Sequence, residues 1–503
     1  MNVSPANGGT VRIDNGPPIT TYPYVKISAA TTLLLEAEPN PGYFFVNWSG
    51  AVTGSAESVY LLLNCEKTVT ANFAPSNQEM SELYFPHVAS RIGTSPDIWE
   101  TEVCVINTGD QPLSGTLKAY RTTAFGWAAT STKTINLAAH GRWSRIVGQG
   151  EFTNPSEIGY MVFESPSNSV VGYTKFYKAG QYRVAIPATQ AVNASDIPIP
   201  HIASDADWWT GISLLNTTSA QKNLTITFDN GDSRPIILGS REHKAFDIAA
   251  EFFDNQPQPN IRSAVISGAD GVIGLELFAT HDGKEMEGIL LTDQTANTLF
   301  YPHVTHDDQW TGVVAYNPSD AACDITIRPY SALGGTLATM IDSIAGKERY
   351  VGAVEDLDLP AQTAWFRIDS TIQPLSGFEL IGANDGSRLA AYAAGGRTTA
   401  TGGVLPKIEK EGWTDIGFVN TEAADASVTL TAFDDNGLQK AAQTLNIVGY
   451  AKEVRHPEEI FTQDIGNATY IVFSSNRQVV GFQLNGSADG TMLDGMPALV
   501  ATP

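Results

Sequence analysis

PHIASDADWWTGISLLN, residues 200–216, is written four times along this chain. It returns as PHVASRIGTSPDIWETEVCVIN from Pro86, as PHVTHDDQWTGVVAYN from Pro302, and in a worn form as PKIEKEGWTDIGFVN from Pro406. A period of about 100–115 residues is too long for a solenoid or a propeller blade and suits a small domain. A chain of 503 residues also exceeds what one hydrophobic core supports. The spacing therefore predicts an N-terminal piece followed by four tandem units.

The same order of signals recurs inside each unit. The tryptophan strand comes first, and a second alternating stretch follows: GTLKAY, NLTITFDNG, CDITIRPYS and SVTLTAFDDNG. The simplest expectation is that these two strands pair through a turn, with Asn230-Gly231 and Asn436-Gly437 accepting positive φ. A short acidic stretch comes next, QGEF, AAEFF, AVEDL or PEEIF, and reads as one turn of helix carrying Glu151, Glu251, Glu355 or Glu459. Each unit closes on two more strands, with Gly172, Gly274, Gly377 and Gly481 in equivalent places. Asp282-Gly283, Asp385-Gly386 and Asp489-Gly490 start the last hairpin. About seven strands at turn spacings near 8–12 residues is the pattern of an immunoglobulin-like sandwich. The fold expected is all-β: a small β-rich module over 1–76, then antiparallel sandwiches over 83–192, 193–297, 298–401 and 402–503, with PSNQEMSE from Pro75 to Glu82 as linker. Sandwiches on short connections are expected to stack into a semi-rigid rod.

The first segment differs from the repeats. GGTV, then L-x-A-x-P-x-x-GYFFVNWSG, then TVTANF, with landmarks at Gly8, Gly9, Pro39, Gly42, Phe44, Trp48, Gly50 and Phe73, resembles the divergent internalin-type B-repeat of bacterial surface proteins. That resemblance implies secretion and surface display, and no catalytic residues. Trp48 and Phe44 read as core aromatics of a domain too small to fold without large buried side chains. The four units also resemble a tandem domain of secreted and surface proteins of environmental bacteria. The shared signature is the W-x-T-x-apolar-x-apolar-x-N strand and the closing Pro-Ala.

Composition narrows the function. The net charge of −24 opposes binding to phosphate backbones or anionic lipid, so nucleic acid is not an expected partner. No apolar run is long enough to span a membrane, and MNVSPANGG lacks the basic and apolar regions of a signal peptide. VATP at the other end carries no sortase-type signal. Cys65, Cys104 and Cys323 fall in three different expected domains, so no intradomain disulfide and no metal-type cysteine spacing is expected.

Several recurring residues invite a functional reading. Trp99, Trp209, Trp310 and Trp413 precede the strand's Asn. Alternation puts the last three on the face opposite Ile212 and Leu214, Val313 and Ala315, or Ile416 and Phe418, which read as core together with Val103 and Val105. They are candidates for interdomain packing or for stacking on a sugar ring. His87, His201 and His303 come one per unit and read as local hydrogen-bond partners of backbone. Repeat four has Lys407 there, and His303 and His306 would point to opposite strand faces. SDADWW, HDDQW, FDDNG and FDNGD hold oxygen ligands, but none has the spaced pattern of an EF-hand, and such residues also make plain turns. No cofactor or metal is expected. The recurring acidic-turn Glu has no second carboxylate at a fixed offset, whereas Phe152, Phe253 and Phe461 suit a plug over the sandwich end. No nucleophile elbow, zinc helix, P-loop or dinucleotide fingerprint occurs.

The expectation is a non-catalytic bacterial surface or secreted protein, acting as stalk, adhesin or interaction scaffold. Its partners would be protein, including head-to-tail copies of itself, or glycan, without membrane insertion. Two alternatives remain open, a subunit of an extracellular filament or layer and a carbohydrate-binding accessory of a secreted enzyme.

Overall fold

Alternating apolar residues fold into strands throughout the chain, but they pair differently from the simplest reading. The structure, a computed structural model, describes residues 2–14, 16–20, 30–40, 43–75, 80–93, 98–121, 129–178, 181–190, 194–291, 295–305, 308–371, 373–394 and 399–501. Gly42, linker residues 76–79, His306 and Asp307 lie outside them.

The N-terminal module packs two three-stranded sheets face to face. One holds Asn2–Ser4, Val69–Pro75 and Tyr43–Gly50; the other holds Gly9–Ile13, Thr31–Pro39 and Ser58–Leu63. Trp48, 1% exposed, anchors the core with Val11, Leu35, Ala71 and Phe73, and its indole N–H bonds Ala56 O at 2.9 Å. The expected partner Phe44 is only half-buried, and Phe45 takes its place 5.3 Å from the Trp48 ring. The pairing with Val69–Pro75 shifts register between Phe45 and Asn47, and that bulge reverses the alternation. Gly9 is required where the sheets close, because a Cβ there would lie 2.4 Å from the Phe73 ring.

The second repeat shows the plan of the sandwiches. Its outer sheet is ordered Asp196–Ile199, Ala264–Ser267, Lys222–Phe228, Ser233–Leu238. Its inner sheet is ordered His243–Asp247, Trp208–Asn216, Val272–Thr280, Met286–Leu291. There are thus eight strands rather than seven. The tryptophan strand and the next strand do not form a hairpin but lie in opposite sheets. Asn230-Gly231 instead turns Lys222–Phe228 into Ser233–Leu238. The buried side chain of Asn216 makes the crossing possible. It donates to Ala220 O and Gly239 O, both at 2.7 Å, and accepts from Thr218 N at 2.9 Å. Asn107, Asn317 and Asn420 repeat this latch in the other units. Three strand carbonyls and amides turned out of the ladder are thereby satisfied at each crossing.

Sandwiches one and three have the same two sheets, while in the fourth a single strand, Tyr470–Ser487, runs through both. The acidic turn is helical at Ile248–Phe252 and Pro457–Ile460 and 3₁₀ at Val354–Leu357. In the first repeat Glu151 precedes a 3₁₀ turn at Pro155–Glu157. Phe152 and Phe461 are buried in their cores, and Phe253 packs against the core of the second sandwich.

The four sandwiches do not form a rod. The last strand of each unit, Tyr182–Pro187, Met286–Leu291, Leu389–Ala393 and Leu493–Pro497, packs against the last strand of the next. The fourth returns to the first. The result is a closed ring around an axis formed by these strands. Gly288 and Gly495 stand there at the register position of Ala185 and Ala391; a Cβ on Gly288 would meet Ile186 Cδ1 at 3.2 Å and one on Gly495 would meet Ala391 O at 3.0 Å, so small residues set the close approach. At the first three seams the inner sheets bury apolar outer faces against one another.

Candidate binding site: the seams and the axial cup

Each seam joins the same parts of consecutive sandwiches. One partner contributes the segment that begins Pro-His, and the other contributes the edge strand beside its tryptophan strand. The W-x-T motif holds the first part in place: Thr101 and Thr210 each donate to and accept from backbone, at Ala89 and Ala203. Thr311 and Thr414 accept from Thr305 N and Glu409 N, both at 2.9 Å.

The histidines are not bonded to local backbone as expected, since each meets a base from the next sandwich. His87 Nδ1 lies 3.4 Å from His243 Nε2, which also contacts Ser213 Oγ at 2.8 Å. His201 meets Arg349, and His303 lies 3.1 Å from Lys452 Nζ. At the fourth seam Lys407 lies beside Arg142, which bonds Pro406 O. Burial pushes His87 down to about 4 and His201 to about 3, with Arg349 adding to the latter; His243 and His303 also fall well below their ordinary value. These imidazoles are neutral spacers between domains. Among the described residues, no group of three or more His, Cys, Asp or Glu side chains is placed to hold a metal ion.

Carboxylates at two seams are neutral too. Glu276 is fully buried facing Arg349, neither of its oxygens has a hydrogen-bond partner, and burial raises its pKa well above the carboxylate range. Glu379, against His303 N at 3.2 Å, is raised by burial while Lys452 opposes the rise. The fourth seam works the other way. Glu102 accepts from Lys407, from Tyr173 Oη at 2.7 Å and from Ser144 Oγ at 2.7 Å, with Arg142 at 3.5 Å. Burial alone would raise its pKa, but Lys407, Arg142 and Lys175 hold it well below the usual range.

Aromatic side chains complete the seams. Tyr160, Trp365 and Tyr470 each donate to one turn carbonyl of the next sandwich, at Arg241, Tyr450 and His140. Those three turn residues share a positive φ of 54–60°. Trp99 and Trp209 pack in the first seam with Phe176, Val184, Ile186 and Met286. Trp310 packs in the second with Phe278 and Phe378, and Trp413 in the third with Ile381, Tyr392 and Phe482. The Trp310 and Trp413 rings cover Gly382 and Gly486 on the paired strand, where a Cβ would come within 2.3 and 2.1 Å of them. Register makes Trp208, not Trp209, the equivalent of Trp99, since both stand eight residues before the buried Asn. Asp205, Asn230 and Asp434 of the acidic loops accept backbone N–H groups inside their own turns.

At one end of the axis the last strands leave a cup of about 220 Å³. Pro187, Leu290, Ala393 and Pro497 line it from the four sandwiches at one equivalent position, with Thr189 and Val500 at its edge. The recurring Pro-Ala was visible in sequence, but convergence on an axis was not. Cys104 and Cys323 are buried and Cys65 exposed, all three as free thiols.

Residues 1–77 match the divergent InlB B-repeat domain family. A comparison with curated proteins gave no match. Among solved structures, Thermotoga maritima 1070 is 12% identical, covering 20% of this chain and 94% of its own, with a TM-score of 0.18. The Bacteroides ovatus mixed-linkage glucan utilization locus protein SGBP-B, in complex with a mixed-linkage heptasaccharide, is 10% identical over 75% of this chain and 94% of its own, TM-score 0.12. A tetra-tandem repeat from the extending region of a large adhesion protein is 10% identical over 84% of this chain and 100% of its own, TM-score 0.10. Among the described residues no helix is long and apolar enough to cross a membrane.

Proposed function

We propose that this chain is a non-catalytic bacterial surface or secreted scaffold, in which a B-repeat module carries a ring of four sandwiches that presents a binding surface to a protein partner. The observation that carries the reading is the use of the recurring residues. The Trp, Thr and Asn of every repeat, with the His of the first three and Lys407 of the fourth, are used in latches and seams, so the motif specifies assembly of the ring rather than a reaction. The B-repeat match supports the surface location. A ring replaces the stalk geometry, because its ends are joined rather than far apart.

The two alternatives call for surfaces that the ring uses. A filament built head to tail would need the first and last sandwiches free, and they face each other. A sugar platform built on Trp209, Trp310 or Trp413 would need rings that are packed in seams. The axial cup offers a concavity for a partner's apolar side chain.

Whole-cell protease shaving with antibody detection tests the location, and calorimetric titration of the purified chain with surface extracts and oligosaccharides tests the role. Release by shaving and protein binding that a bulky residue at Ala393 abolishes are expected. Retention inside intact cells, or turnover of any added substrate, would overturn the reading.

A further inference from the structure

Two residues from each side recur at equivalent register positions in all four seams. In the first seam they are Ala89 and Val184 against Leu277 and Met286, all apolar. In the third, Thr305 and Ala390 oppose Leu484 and Leu493. In the second, Ala203 and the neutral Glu287 oppose Leu380 and Leu389. At these four positions it is the seam between the fourth and first sandwiches that carries ion pairs: Glu409 and Asp494 meet Lys175 and Arg183. Lys175 Nζ lies 2.7 Å from Glu409 and 3.0 Å from Asp494, and Arg183 Nε lies 2.9 Å from Asp494. These four side chains are 0–9% exposed.

This is also the one seam that no adjacent linker enforces. The first three join neighbours in sequence, whereas the fourth joins residues more than 200 positions apart. Docking the acidic face of sandwich four onto the apolar face of another sandwich would bury two carboxylates with no cation to pair them, which disfavours that pairing. The ionic quartet therefore selects one pairing, four with one, and rejects all others. Nothing in that selection distinguishes the first sandwich of the same molecule from that of a neighbour.

We propose that the seam between the fourth and first sandwiches is an exchangeable, charge-keyed clasp, so that the partner its two faces fit across molecules is the end sandwich of a second copy of this chain. Intramolecular closure wins at ordinary concentration, because the chain holds its own ends at an effective concentration on the order of millimolar. Opening one seam in each of two chains exposes complementary faces, and cross-closure satisfies both. The inference does not depend on where the protein is displayed.

Two charge-reversed chains test it. One carries Lys175→Glu and Arg183→Glu, the other Glu409→Lys and Asp494→Arg. Each alone has a like-charged seam, and each is expected to stay at one-chain mass with an increased radius of gyration by X-ray scattering. Mixed one to one, each acidic face finds a basic one in the other chain. Light scattering should then read twice the 53.9 kDa of a single chain. A chain with all four reversals restores complementarity and should return to a monomer of native radius, which also serves if either double variant fails to fold. A mixture that remains at one-chain mass, or reversed chains that keep the native radius, would overturn the proposal.

Discussion

Replacing Glu102 by Gln keeps the shape of the side chain and removes the charge at the centre of the closing seam. The carboxylate serves Lys407, Arg142, Tyr173 and Ser144 at once, and Glu102 and Arg142 are each at most 10% exposed at the side chain. Gln can still accept from Tyr173 or Ser144, but its amide N–H₂ must face a cation. Breaking one member of a buried ion network costs about 3–5 kcal/mol, because the partner charges stay buried without compensation. With the neutral hydrogen bonds partly kept, the lower end applies, and about 3 kcal/mol shifts the closed-to-open ratio roughly a hundredfold. The assay is the radius of gyration along a urea gradient, since a chain of several domains has no single unfolding free energy. The variant should open at lower urea while circular dichroism of the sandwiches persists. The variant's opening midpoint should also lose the acid dependence that the wild-type carboxylate gives it. A carboxylate held below its ordinary pKa stabilises the seam above about pH 4.5 and loses that contribution as pH falls, and Gln has no such term. Adding Lys407→Met should recover part of the loss by removing a stranded cation. An unchanged opening midpoint in Glu102→Gln would refute the assignment of the seam to this network.

Other consequences can be checked singly. Glu276→Gln should be neutral near pH 4 and stabilising by about 1–2 kcal/mol at pH 8 in thermal melts. A carboxyl whose folded pKa is raised loses its contribution as pH rises, and a flat difference across pH would count against it. Asn317→Ala strands buried carbonyls at Ala321 and Ile344 and should lower the stability of the third sandwich by about 2–4 kcal/mol in calorimetry, with Asn317→Ser no full rescue. Trp310→Ala uncovers Gly382 and should cost about 2–3 kcal/mol in melting experiments. Oligosaccharides should leave the Trp310 fluorescence unchanged, and specific quenching lost in that variant would restore the sugar-platform reading.

Much of the architecture could be read from one dimension. A motif written four times implies four domains, because a fold needs its core residues at fixed places. Alternation likewise placed Val103, Ile212, Val313 and Ile416 in the four cores, where they lie. The B-repeat was legible from Gly9, Trp48 and Phe73, whose identities answer to local sterics. The choice of Phe44 as a core aromatic failed, since a single bulge residue reverses the faces of a strand and leaves no mark in composition. The hairpin failed because a turn sequence does not say in which sheet the next strand pairs. That is decided by Asn216 and its three counterparts, satisfying backbone groups from segments more than 20 residues away.

The ring was beyond any reading along the chain. Lys175, Arg183, Glu409 and Asp494 look like solvated charges on ordinary strands, and their meaning depends on a contact between the first and last repeats. His201 and Arg349, or Glu379 and Lys452, are likewise ordinary residues until burial at a seam makes the histidine or the carboxyl neutral. Local sequence determined the strands, the turns and the repeat, because those answer to short-range sterics and periodicity. Only tertiary structure decided that the four sandwiches close on themselves, because closure depends on complementarity between surfaces that the chain brings together last.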